Sequence, residues 1–441
     1  MSQKMPTMYQ LIEAKKNGHI LEANHIKWII EEYTKKNIPD YQMSALLMAI
    51  SLKGMTTAET AALTDAMLYS GRVLKFNDKT VVDKHSTGGI GDKASFVLAP
   101  IAACLGVKVP MIAGRGLGHT GGTVDKIEVL KGFKTNLSLD EFSQQLTDKG
   151  IVLIGQTPEI APADRLIYAL RDVTATIDCI PLITASIMSK KLAEGAEGIA
   201  FDIKYGTGAF MRDRKNAKLL ATSLLQTAKR FKRKAVALVT DMNQPLGLKV
   251  GHSLELIESV DTLKGAGPKD LTDLSIELAA HMAVMAGKFK TLELARKKAR
   301  STIEDGSALN KLADLIEWQG GKREDILNTA HLPVAPEVTI VKAPKTAFIK
   351  NFQNDQVGHQ LIELGGGRKT KEDQLDLTVG FTFVAKIGDQ VKKDEPILAI
   401  HHHAHQRAIA QKMAQTFITE IITFSKAKVK APKLITDVMS L

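Results

Sequence analysis

Cysteine is nearly absent: Cys104 and Cys179 are the only two in 441 residues. That excludes a disulfide-stapled scaffold, and because both lie in apolar helical stretches the sequence predicts buried thiols in a reducing compartment. No apolar run approaches the roughly 18 residues that a membrane span requires. The N-terminal "MSQKMPTMYQLIEAKKNGH" lacks the basic-then-apolar order of a secretory leader, so the expected location is cytoplasmic. Aromatic residues make up only 5% of the chain, too few for the stacking platforms of a single-strand binder. A formal net charge of +11 would otherwise suggest nucleic acid. The basic residues are dispersed, however, with small clusters at "KRFKRK" (229–234) and "SKAKVKAPK" (425–433). A solvated surface that attracts anionic substrates is the simpler reading, and neither a nucleic-acid nor a membrane partner is expected. Zinc-type spacing is missing too: "HHHAH" (His401 to His403, His405) has no cysteine or acid at ligand spacing and reads as a strand end or loop.

What is present is an ordinary globular composition, 44% hydrophobic and 24% charged, at a length that suits two or three domains. Residues 1–70 read as helices with apolar positions at helical spacing, the last opening on a capping box at Thr56 and Glu59. From residue 71 to 160 strands and helices alternate ("TVVDK", "VKVPMIAG", "IVLIG"), which implies a parallel sheet covered by helices. Residues 161–195 hold two helices with no strand between them, as if the chain returned to the helical domain. Residues 196–335 resume the α/β pattern with "GIAFDIK" and "KAVALVT", then turn mostly helical. Residues 336–441 form a C-terminal α+β subdomain. Its "VGFTFVAKIGDQVKKDEPILAIH" resembles half of a biotinyl/lipoyl hammerhead without the modifiable Met-Lys pair, and is read as a structural module. The predicted fold class is α/β: a small helical domain plus a larger domain with a mixed, mainly parallel sheet.

Two glycine-rich stretches each follow an apolar strand: "KHSTGGIGDKAS" (84–95) and "AGRGLGHTGGTVDKIE" (113–128). Glycine admits positive φ and close approach of a ligand, and backbone N–H groups at such turns bind anions. Lys84, His85, Ser86, Thr87 and Ser95 add side-chain donors. Both loops are expected at the carboxyl edge of the sheet, where open α/β sheets bind ligands, so together they suggest an oxyanion pocket.

These stretches, with "LIGQTPEIAPADRLIYALRDVTATID", "IPLITASIMSKKLAEG" and "GGGRKTKEDQLDLTVGFT", resemble the thymidine and pyrimidine-nucleoside phosphorylases over essentially the whole chain. The resemblance implies a homodimer with a cleft between its helical and α/β domains. It implies reversible phosphorolysis of a pyrimidine nucleoside to free base and (deoxy)ribose 1-phosphate, with inorganic phosphate as co-substrate and no cofactor. It assigns Lys84, Ser86, Ser95 and Thr123 to phosphate, and His85, Arg171, Ser186 and Lys190 to the pyrimidine. Tyr168 and Phe210 would line the base pocket. His85 would donate a hydrogen bond or proton to the departing base, a role for which an ordinary histidine pKa suits neutral pH. Ser186 and Lys190, four apart, share a helix face.

Two positions depart from the family pattern. Ala113 replaces a serine that touches phosphate. Lys93 stands where bacterial relatives carry a small hydroxyl residue near a monovalent cation, and Glu258 matches an acidic ligand of that cation, so the expectation here is no bound metal. "PLITASI" and "GDKAS" favour thymidine and deoxyuridine as substrates, with a broader enzyme that also takes uridine as the alternative. Phosphoribosyl transfer on the related fold is a further possibility, against which the "KHS" triplet and Arg171, Ser186 and Lys190 argue.

Overall fold

The computed structural model describes residues 5–116, 121–370 and 373–441. Four helices come first: α1 (Met8–Lys16), α2 (Ala23–Thr34), α3 (Asp40–Lys53) and α4 (Thr57–Leu68). The capping box at Thr56 and Glu59 forms as the sequence predicts. Glu59 also accepts from Lys15 Nζ at 2.8 Å and Leu21 N at 2.9 Å, a buried tie that pins α1 to α4.

The main sheet contains β1 (Val82–Ser86), β2 (Val109–Ala113), β3 (Ile151–Gly155), β4 (Gly198–Tyr205) and β5 (Lys234–Asp241). β2 pairs with β3, and β1 with β4 and β4 with β5, all in parallel. A parallel bridge between Val81 and Lys108 joins the two sets. Residues alternate between two cores, as a sheet covered on both faces requires. Ala200, Val236 and Leu238 face one core, while Ile199, Phe201 and Val239 face the other. The final strand, Ile435–Ser440, runs antiparallel along β5 and makes the sheet mixed. Sequence reading found no strand there, because this edge strand is half-exposed and follows a basic tract.

Between the strands lie α5 (Ala94–Cys104), α6 (Thr123–Ile127), α7 (Leu139–Lys149), α8 (Pro162–Val173), α9 (Ile180–Ala193) and α10 (Arg214–Arg230). α8 packs on α2 and α3, and α9 packs on α4, so the inserted pair does rejoin the first four helices. Leu182 and Ala185 of α9 belong to the helical core, whereas Ile187, Met188 and Leu192 belong to the sheet core. One helix thus spans both bodies.

Helices α11 (His252–Leu263) and α12 (Lys269–Met285) pack against α5. Beyond them, Glu337–Lys342, Gly380–Phe383 and Pro396–His402 form an antiparallel sheet with Lys249–Val250. His401, His402 and His403 each hydrogen-bond a threonine hydroxyl, Thr382, Thr339 and Thr378 respectively. Both thiols are free, but only Cys179 is buried; Cys104, at the end of α5, is half-buried.

Candidate active site

β1 and β2 are parallel neighbours, so the loops that follow them leave the same edge of the sheet, as predicted. In the first loop Gly88 and Gly91 take φ of +81° and +73°. A Cβ at Gly91 would also meet Leu246 O at 2.7 Å, so that position needs glycine twice over. Four residues of the second loop, 117–120, lie outside the described residues.

Above this edge opens a cleft of about 830 Å³ whose lining includes Lys84, His85, Ser86, Ser95, Thr123, Tyr168, Arg171, Ser186, Lys190 and Phe210. Every residue that the sequence assigned to phosphate or to the pyrimidine therefore lines one space. The sheet loops and α5 supply one wall, and α8 and α9 supply the other.

On the sheet side, alternation along β1 turns Lys84 and Ser86 one way and Asp83 and His85 the other. Lys84 Nζ lies 3.4 Å from Ser95 Oγ, in the first turn of α5. Ser86 donates to Asp92 Oδ2 at 2.5 Å and accepts from Gly88 N at 3.1 Å. Burial opposes ionisation of Asp92, but Lys204 and Lys84 outweigh it and hold the carboxyl well below the usual range.

On the helical side, Lys190 Nζ donates to Ser186 Oγ at 2.8 Å and pairs closely with Asp164. The shared helix face of Ser186 and Lys190 is thus realised. Arg171 is buried and engages the carbonyls of Thr176, Leu182 and Ile177 at 3.2, 3.1 and 2.7 Å. A surface ion pair with Asp172 is not what holds it. Burial lowers its pKa, and its guanidinium lies 5.6 Å from the Tyr168 ring centroid. Burial likewise pushes the Tyr168 phenol up to about 12.

His85 requires a correction. Burial, then the ammonium groups of Lys191, Lys190 and Lys84, push its pKa well below 6.5, and Asp92 opposes them only in part. The imidazole is neutral at pH 7, so it can donate a hydrogen bond but is not a ready proton donor.

Sequence reading missed Asp164 and the buried cluster of Lys191, Asp83 and Glu194. Asp164 anchors Lys190; it shares a buried helix face with Ile167 and Arg171, and a charge on such a face was the available signal. Lys191, next to Lys190 in the last turn of α9, is 4% exposed and pairs with Asp83 at 2.5 Å and Glu194 at 3.1 Å. Burial disfavours its ammonium, but these two carboxylates raise its pKa. Burial also drives Glu194 well above the usual carboxylate range.

Beside the first loop, Lys93 Nζ lies 2.6 Å from Glu258 Oε2, 2.8 Å from Leu246 O and 2.7 Å from Lys249 O. Three oxygens at such distances would suit a monovalent cation, but the ammonium already takes them. These residues therefore do not fit a bound metal.

Residues 9–71 match the helical bundle domain of a glycosyl transferase family and residues 78–309 its a/b domain. Residues 348–420 match the pyrimidine nucleoside phosphorylase C-terminal domain. A pyrimidine-nucleoside phosphorylase of Geobacillus stearothermophilus is 44% identical over 436 residues, 98% of this chain and 100% of the relative. Another, from Staphylococcus aureus, is 45% identical over 396 residues, 89% of this chain and 92% of the relative. Among solved structures, anthranilate phosphoribosyltransferase of Thermus thermophilus superposes with a TM-score of 0.58 at 17% identity, covering 70% of this chain and 98% of that one; at that identity the likeness concerns the fold alone. Identity along nearly the whole chain, and family models matching all three of its parts, place it plainly: this chain belongs to the pyrimidine-nucleoside phosphorylase family.

Proposed function

We propose that this chain catalyses the reversible phosphorolysis of pyrimidine nucleosides, with thymidine and deoxyuridine preferred. The observation that carries the reading is one cleft with Lys84 and two glycine-rich loops on one wall and a donor-lined helix pair on the other. Phosphate is held by Lys84, Ser86, Ser95 and Thr123, with the N–H groups at the start of α5 adding to the field. The base lies against α8 and α9, between Tyr168 and Phe210.

Breaking the N-glycosidic bond leaves positive charge on the sugar and negative charge spread over the base carbonyl oxygens. A phosphate oxygen forms the new bond to the anomeric carbon, and the bonding pair of the old C–N bond leaves with the base. Neutral His85 donates a hydrogen bond to one base oxygen. Lys190, oriented by Asp164 and Ser186, meets the charge developing on the other side of the ring. Arg171 has five N–H groups and, among the described residues, spends three on backbone carbonyls, so two are left for the base. Such donors act strongly in a cleft that excludes water. No cofactor and no metal take part, and phosphate is the co-substrate.

Thymidine preference rests on "PLITASI" and "GDKAS". The broader reading, with uridine as a substrate, is favoured by the names of the 44–45% identical relatives. We also propose a homodimer built on the helical domain. Tyr41, Met48 and Leu52 of α3 are 74%, 37% and 75% exposed on one face of a helix whose other face is buried, and an apolar stripe of that kind calls for a partner. Side-by-side phosphorolysis of thymidine, deoxyuridine and uridine tests the reading. Release of no free base from any of them refutes it, and equal rates on all three establish the broader enzyme.

A further inference from the structure

Asp125 ties the second glycine stretch to the C-terminal subdomain, 243 positions away. It lies in the first turn of α6 and is 1% exposed. Its carboxylate accepts from Arg115 Nη1 at 3.0 Å and from Gly116 N at 2.7 Å, both in the second glycine loop. Arg368 reaches the same carboxylate from the C-terminal subdomain, Nη2 to Oδ1 at 2.9 Å and Nη1 to Oδ2 at 3.2 Å. Next to Arg368, the N–H groups of Lys369 and Thr370 donate to Asp373 at 2.7 and 2.9 Å. Arg115 is fastened a second time, to both oxygens of Glu128 at 2.6 and 2.7 Å. Arg115, Gly116 and Thr123 line the cleft, whereas Asp125 and Arg368 do not.

We propose that Arg368 is a positioning residue for phosphate. By gripping both oxygens of Asp125 it fixes the start of the second glycine loop and the turn that carries Thr123. The inference rests on the phosphate reading of the glycine loops given above. A glycine-rich loop has more conformational freedom to lose than any other, and a loop left loose makes the incoming anion bear the cost of ordering it. A bidentate guanidinium–carboxylate pair is directional as well as strong. Burial opposes ionisation of Asp125, but Arg368 and the Gly116 N–H outweigh it, so the anchor stays charged. Among the described residues the C-terminal subdomain contributes none to the cleft lining, and this contact gives it a route to the reaction.

The test compares Arg368→Ala and Arg368→Lys with the wild type, together with Lys84→Ala as a control on the phosphate reading. Arg368→Ala is expected to raise the phosphate KM about tenfold, while nucleoside KM and kcat at saturating phosphate stay within about twofold. Arg368→Lys keeps the charge without the paired geometry and is expected to fall between; it also carries the test if the alanine variant does not fold. An unchanged phosphate KM in both Arg368 variants, with Lys84→Ala raising it, refutes the positioning role and leaves the phosphate reading standing. If Lys84→Ala also leaves it unchanged, the phosphate reading itself has failed. A fall in melting temperature with kcat and both KM values degraded alike marks Arg368 as a merely structural bridge and overturns the proposal.

Discussion

Lys93 offers a direct test of what a buried ammonium does in this fold. It is 0% exposed, and its Nζ bridges Glu258, Leu246 O and Lys249 O at 2.6–2.8 Å. Lys93→Ala removes that bridge and leaves Glu258 with only the N–H groups of Leu248 and Lys249, at 2.9 and 3.1 Å, among the bonds described here. Removing one partner of a buried ion pair costs about 3–5 kcal/mol, because the other charge stays desolvated. That is a large part of the roughly 5–15 kcal/mol that holds a typical protein folded. The vacated space keeps a carboxylate and two carbonyls, so potassium or sodium is expected to enter it. An ion at about 100 times its Kd would restore roughly 2.7 kcal/mol. Chemical denaturation in potassium chloride and in tetramethylammonium chloride, at equal ionic strength, measures both effects. The wild type is expected to show the same midpoint and the same rate in the two salts, while the variant recovers only in potassium. A loss below about 1 kcal/mol in the variant, or strong potassium activation of the wild type, would falsify the reasoning.

Three further outcomes are expected. His85→Ala should lower kcat by about 10²–10³-fold while changing phosphate KM little, since its bond is to the departing base; steady-state kinetics showing the reverse split would move His85 to the phosphate. Ala113→Ser should lower phosphate KM by at most about tenfold and leave nucleoside KM alone, because Ala113 lines the cleft and a Cβ on neighbouring Gly114 would meet nothing within 4 Å; equal phosphate titrations for the two proteins would show that the hydroxyl is not needed. Burial pushes His252 down to about 4, so between pH 6.5 and 4 the unfolded chain binds a proton that the folded one does not. Its contribution is complete above pH 6.5 and is lost as pH falls, by up to roughly 3 kcal/mol. Denaturation midpoints of wild type and His252→Asn should converge on acidification, and parallel curves would contradict the shift.

Much of this was legible in the sequence because local chemistry carries it. Apolar period set the first four helices and the five parallel strands, glycine after a strand marked the two loops, and the capping box at Thr56 formed as read. Spacing alone put Ser186 beside Lys190. What could not be read were the long-range electrostatics. Nothing local distinguishes Lys191 from Lys190, yet Asp83 lies 108 positions away and turns one of them into a buried ion. The ordinary pKa expected for His85 failed for the same reason, since three lysines from two elements converge on it.

The sequence by itself determined which residues gather at the sheet edge, because strand alternation and loop position follow from nearest neighbours in the chain. Only the tertiary structure decided their charge states and anchors: the neutral imidazole of His85, the ammonium of Lys93 among three oxygens, and the reach of Arg368 to Asp125 over 243 positions. Charge interactions depend on separation in space and on burial, and neither is written in the order of residues until the chain has folded.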